Sequence, residues 1–173
     1  DAKGHEGPFS EKYATSPLPF KNELAERFSF VQGGSNLNSY FRGEIRSPHK
    51  ILNIRSLYAD EAFFEVFGFE LKEGNINALV EPFSIVLSEE LSEKLFPNQS
   101  ALGQTVEFED HGSYKVTGVV KPPPGKTHIQ FEALGSLSTL PVLVEKDLVS
   151  ESYNSWKEHW SGYNYLVLSD PSF

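Results

Sequence analysis

The 173-residue chain contains no cysteine and no methionine. The first absence excludes disulfides, thiolate catalysis and cysteine-ligated zinc. The second leaves no start residue, so the expectation is a fragment or a processed chain. Long apolar runs are also missing. No stretch approaches the roughly 20 residues that cross a bilayer, and no signal peptide is visible. Any membrane spans of a parent protein are therefore expected outside this segment. Positive charge is scarce: 15 Lys and Arg stand against 24 Asp and Glu, a formal charge of −9. That balance argues against binding a phosphate backbone and leaves a cationic or peptide partner open beside plain solubility. Neither a P-loop nor HExxH, GxSxG or SxxK occurs. An ATP site would have to lie on another chain or segment.

What is present is enough to fold. Hydrophobic residues make up 39% and aromatics 13%, a supply that suits one medium domain or two small subdomains with a sizeable core. Ser16-Pro17 reads as an N-cap and first helical residue. Phe20, Leu24 and Phe28 follow on one helix face, and residues 32–36 (QGGSN) are expected to stop that helix. Residues 37–45 and 50–58 read as strands, with Leu52, Ile54, Ser56 and Tyr58 sharing one face of the second. Asp60 is placed to cap a short helix that buries Phe63, Phe64 and Phe67. Gly68 ends it, and Glu73-Gly74-Asn75 makes a turn.

Residues 84–87 (SIVL) form a short apolar strand. Ser88 caps the next helix, Glu89 and Glu90 oppose its dipole, and Leu87, Leu91 and Leu95 give it a stripe. Pro97 and Asn98 end it. Strands at 104–109 and 113–121 face each other across the hairpin loop Asp110-His111-Gly112. Pro122-Pro123-Pro124-Gly125 is a stiff polyproline-like connector and the expected subdomain boundary, near 121–126. Further strands are expected at about 128–135 and 162–168, with a helix near 141–149. Short helices among hairpins point to an α+β fold with antiparallel strands, not a doubly wound parallel sheet.

Candidate chemistry is thin. His5, His49, His111, His128 and His159 do not pair at a helical metal-ligand spacing. His111, beside Glu107, Glu109 and Asp110, could gather donors at a hairpin, against the alternative of a solvated turn. Glu89-Glu90 and Glu107-Glu109 are paired carboxylates, but adjacent helical residues diverge, and chance pairs are expected in an acidic chain. The same residues, Glu107 to His111, are where a small carboxylate hydrolase would have to act. Phe63, Phe64, Phe67 and Phe69 read as core, with an exposed lipid or peptide groove as the other reading. Trp156, Trp160, Tyr163 and Tyr165 form a second aromatic cluster, read as packing of a terminal strand. Residues 33–48 and 141–160 have the irregular character of contact loops.

Several phrases together resemble a known family. Asp60, Phe63-Phe64, Phe67, Phe69, Leu71 and Gly74 form the first. Ile85-Val86-Leu87-Ser88 with Leu91 and Lys94-Leu95-Phe96 form the second. Leu102-Gly103-Gln104-Thr105 and Tyr114-Lys115-Val116-Thr117-Gly118-Val119-Val120 follow, and His128-Ile129-Gln130-Phe131 is similar to versions of Bacteroidetes type. Their order resembles the periplasmic core domain of MacB/FtsX-type ABC transporter permeases over about residues 16–140. The resemblance implies a mixed α/β porter-like portion with a small inserted α+β sabre-like portion. It implies one extracytoplasmic domain over 1–173, on the periplasmic side of the bacterial inner membrane. It also implies a non-enzymatic role in mechanotransmission and in recognising a substrate or partner. The implied partners are an ATPase subunit reached through membrane segments, a second permease copy, and an unidentified protein, peptide or lipid cargo. The family normally begins with a strand before this segment and continues into a helix after it, so an incomplete first subdomain is expected. It implies no cofactor, and no catalytic, cofactor-binding or metal-ligating residue is assigned. A stand-alone secreted module binding peptide or lipid near Phe63–Phe69 is the alternative.

Overall fold

The computed structural model describes residues 14–108 and 111–169. In chain order the elements are α1 (Phe20–Arg27), β1 (Val31–Asn38), β2 (Arg42–Arg46), β3 (Ile51–Ala59), α2 (Phe63–Phe67) and β4 (Leu71–Gly74). Then come β5 (Ser84–Ser88), α3 (Glu89–Leu95), β6 (Thr105–Phe108), β7 (Gly112–Val120), β8 (Ala133–Ser136), α4 (Thr139–Glu145) and β9 (Gly162–Leu168). A short 3-10 turn, Glu151–Asn154, lies between the last two.

The nine strands of the described residues join one mixed sheet. Seven pairings are antiparallel; β3–β8 and β5–β7 are parallel. A parallel pair needs a long crossover, and the one from β5 to β7 carries α3. Because β2 pairs both β3 and β6, the strands β2, β6, β7, β5, β8 and β3 close a ring. Strands β1 and β9 extend the sheet beyond β3, and β4 adds to β7. The expected mixture of helices and antiparallel strands holds, and the proline connector joins β7 to β8 within the same sheet.

The period-2 alternation of strands sorts the core onto two sides. One cluster fills the ring with Phe41, Ile45, Tyr58, Ile85, Leu87, Phe108, Tyr114 and Val116. The other lies on the outer face and holds Leu37, Ala59, Phe63, Phe64, Val86 and Leu134. Strands β5 and β8 contribute to both, which is why SIVL reads as a continuous apolar run. At the centre, Phe41 stacks on Tyr58 and Phe108 with ring centroids 4.5 and 4.0 Å away. Gly135 on β8 makes room for this stack. A Cβ there would lie 2.8 Å from Phe41 Cε1 and 2.9 Å from Tyr58 Cε1.

The local signals for α3 hold. Ser88 Oγ accepts from the Leu91 amide at 3.2 Å, and Leu91 and Leu95 are buried. Gly68 closes α2 in the left-handed conformation, φ 67°. Other expectations do not hold. Ser16 does not cap α1: its amide donates to Gly162 O at 2.8 Å and its hydroxyl accepts from Asn164 Nδ2 at 2.8 Å. Fixed against β9 in this way, it leaves the helix to begin at Phe20. Residues 32–36 do not merely stop a helix; they lie in β1, paired with β9 from Gly33↔Val167 to Asn38↔Gly162. Glycine, serine and asparagine have little strand preference, so pairing with a distant strand decides. Residues 73–74 likewise complete β4 before the turn. The expected strand over 128–135 shortens to β8, and the helix near 141–149 begins two residues earlier, at Thr139.

Inside the ring, the Tyr58 and Tyr114 hydroxyls bond each other at 2.8 Å, and Tyr58 Oη meets His111 Nδ1 at 3.1 Å. Burial pushes both phenols above their ordinary 10.0. A folded pKa raised above the unfolded one gives stability that is present below pH 10 and lost as pH rises beyond it. Each such tyrosine should cost about 1.4 kcal/mol per pH unit in that range. Denaturant midpoints taken from pH 8 to 11.5 should be flat and then fall. Tyr114→Phe should make the fall shallower by one tyrosine's slope; an unchanged slope would count against this account.

Candidate functional site

Below the proline connector a groove of about 770 Å³ opens beside the outer core. Its floor is apolar, built from Phe69, Val120, Ile129 and Phe131. Phe69 reaches it because α2 turns sharply at Gly68, and Phe131 packs on Phe69 with centroids 5.4 Å apart. One wall is Pro122 and Pro123, whose fixed φ keeps the segment extended. The other is formed by Ser88, Glu89 and Glu90 at the start of α3.

Polar groups set the rim. Arg55 Nη1 donates to Gln130 Oε1 at 2.7 Å, and the Arg55 amide donates to Glu132 Oε2 at 2.8 Å. Ladder bonds continue through Glu132 N to Arg55 O and Ser88 N to Glu132 O, so the segment before β8 is bound on both sides. Lys121 Nζ donates to Glu70 Oε2 at 2.8 Å, and this ammonium holds the Glu70 carboxyl below the usual carboxylate range. Lys94 does the same for Glu90. An apolar floor with paired charges of both signs suits an extended chain segment. A second hollow of about 360 Å³ continues it on the far side of the connector, against Phe67 and Phe69.

The residues singled out in the sequence divide accordingly. Phe63 and Phe64 are buried, with Phe63 edge-on to Phe64 and Phe131. Phe67 packs edge-on against Tyr165, and only Phe69 faces the main groove. The second aromatic cluster separates. Tyr163 and Tyr165 pack against the outer core, whereas Trp156 and Trp160 are 54% and 60% exposed. They sit in the loop before β9. Residues 33–48 are mostly the strands β1 and β2, not an irregular contact loop; 141–160 does contain the exposed loop expected there.

At the β6–β7 hairpin, His111 turns inward to Tyr58 and stacks near Phe41 and Phe108. Glu107 accepts from Ser113 Oγ. Glu109 and Asp110 lie outside the described residues. Among the described residues no three His, Asp or Glu side chains converge as metal ligands. Asp60 does not cap α2; it binds Lys21, Ser35 and the Asn36 amide instead. Arg55, Gln130 and Glu132 were not read from the sequence as site residues. The one signal pointing to them was the rigid Pro122-Pro123-Pro124 stretch, read as a boundary and not as a wall.

Comparison with known proteins gives a consistent result. A family model, the MacB-like periplasmic core domain, matches residues 9–171. No curated protein matches the chain. A domain of a protein described as a permease from Porphyromonas gingivalis is 20% identical, with TM-score 0.75 over 93% of this chain and 71% of that one. The periplasmic region of MacB from Actinobacillus actinomycetemcomitans is 20% identical, with TM-score 0.68 over 98% and 72%. The extracellular domain of the ABC-type transporter YknZ from Gram-positive bacteria is 16% identical, with TM-score 0.63 over 92% and 76%.

Proposed function

The chain belongs to the MacB-like periplasmic core domain family, and on that premise we propose that it transmits motion and recognises a partner without catalysing a reaction. Domains of this family are the periplasmic parts of ABC transporter permeases, which partner with an ATPase. No helix among the described residues is long and apolar enough to cross a membrane. The observation that carries the mechanical reading is the closed ring of six strands around a filled interior, with β5 and β8 packed on both faces. A body that passes force between a membrane and a partner must not deform under it, and close-packed interiors have low compressibility. The groove along Pro122 and Pro123 is the proposed recognition surface, with an extended segment of a partner or cargo as its occupant. The connector at 121–126 is its rigid border and the proposed subdomain boundary. Family membership does not favour a stand-alone secreted module.

The 173 residues contain no cysteine, so with any cysteine elsewhere in the permease replaced, labels can be placed one at a time. A spin label at Glu93→Cys in the full permease, with its ATPase, reports the distance between copies. A second pair, Glu65→Cys with Lys146→Cys, reports the distance within one copy. The expected result is that trapping the ATPase in its nucleotide-bound state shifts the first distribution and leaves the second unchanged. An immobile first distribution would remove the transmission role. A shift in the second would remove the rigid-body account.

A further inference from the structure

Another cleft, of about 520 Å³, lies away from the proline groove, between α1, the step from β3 into α2, and the loop carrying Trp156. Four carboxylates line it, Glu23, Glu26, Asp60 and Glu61, against one ammonium, Lys21. Lys21 is committed to Asp60 at 2.6 Å, and Glu23 pairs with Arg27. Glu26 and Glu61 take part in no ion pair or side-chain hydrogen bond among the described residues. Acidity alone would mean only a solvated face.

Asn36 adds a separate observation. It lines the same cleft and is 6% exposed. Its Nδ2 donates to Leu18 O at 3.0 Å, which fixes the amide orientation: a flipped amide would set oxygen against oxygen. The other end, Oδ1, is buried with no hydrogen-bond partner. Buried acceptors are almost always satisfied, so an orphan signals a missing donor. Asp60 already accepts from Ser35, Lys21 and the Asn36 amide. The rim supplies a third element. Trp156, 54% exposed, presents the ring type that best attracts cations.

We propose that this cleft binds an organic cation, a primary ammonium or guanidinium, held by Glu26 and Glu61, covered by Trp156 and donating an N–H to Asn36 Oδ1. The ligand is a multivalent amine, either free or carried on the lysine or arginine side chains of a peptide. The inference does not depend on the transmission role and leaves the proline groove to its own occupant. Asn36 Oδ1 exposes less than 1 Å². A donor therefore reaches it only when the cleft wall gives slightly, and the Asn36 side-chain amide resonance becomes a direct reporter.

Calorimetry with spermine and with tri-lysine, on the 173-residue chain, tests the site. Binding of either probe at one site per chain is expected, weakened tenfold or more in Glu26→Gln/Glu61→Gln and weakened in Trp156→Leu. The remote pair Glu93→Gln/Glu107→Gln should leave it unchanged, and the Asn36 side-chain amide should shift on titration. Binding of spermine alone assigns a free polyamine; binding of tri-lysine alone assigns a basic peptide. Absence of binding by both probes overturns the proposal. So does equal weakening by the remote pair, which would mean general attraction to an acidic protein, or an Asn36 resonance that stays in place.

Discussion

Phe41→Ala should lower the unfolding free energy by about 3–5 kcal/mol. Domains of this size are stable by only about 5–15 kcal/mol, so the variant should be close to unfolding at ordinary temperature. Phe41 has no exposed surface. It is clasped between Tyr58 and Phe108, touches Tyr114 at a centroid distance of 5.3 Å, and rests on the bare backbone of Gly135. The cost lies at the high end because the void cannot collapse. Its walls are strands hydrogen-bonded to both neighbours around a closed ring, and moving one inward would break a ladder. Ile76→Ala, at a side chain 53% exposed, should change stability by no more than about 0.5 kcal/mol. Urea unfolding followed by far-ultraviolet circular dichroism checks both. A loss below about 1.5 kcal/mol for Phe41→Ala would show that the ring relaxes, and would undercut the rigidity on which the mechanical reading rests.

Asp60→Ala should cost a similar amount by a different route. The carboxylate accepts from Ser35 Oγ at 2.7 Å, Lys21 Nζ at 2.6 Å and the Asn36 amide at 2.8 Å. The Lys21 and Asp60 side chains are 18% and 9% exposed. Removing the acceptor leaves an ammonium, a hydroxyl and an amide facing each other under little water, and breaking a buried pair from one side costs about 3–5 kcal/mol. Lys21→Met should cost less, because the carboxylate keeps two donors. The damage should also be local. No residue of α1 is buried, so the helix depends on Lys21 and on the Lys21 amide donating to Asn164 Oδ1 at 2.9 Å. Hydrogen exchange in Asp60→Ala should quicken first in residues 20–27, while β5 amides keep the protection of the global fold. Equal acceleration in both would refute this placement of the helix's support.

These two sites show what was legible in the sequence and what was not. The stripe and caps of α3, the apolar run of β5, the β6–β7 hairpin and β9 all announce themselves within a few residues, through periodicity and turn chemistry. The two phenylalanines at 63 and 64 were readable as core on the same grounds. Asp60 was misread because local capping and long-range pairing both use a carboxylate before a helix, and only the second occurs here. β1 was misread because its residues carry no strand signature; its partner is about 130 positions away. The two exposed tryptophans were misread because apolar character predicts burial only on average. The acidic cleft was invisible for a simpler reason. Its carboxylates come from α1 and the step from β3 into α2, its orphan acceptor from β1 and its ring from a late loop, and no spacing rule connects them.

The pairing pattern also sets an order of events in time. β3 cannot meet β8 until residue 136 has been made, and β1 cannot pair along its length with β9 until residue 168 has followed. The ring and its extension therefore close late, through contacts of large sequence separation, which folds a chain slowly. Until then β1 is held only where its end meets β3, and its open edge is a part of the nascent chain that needs shielding from other molecules.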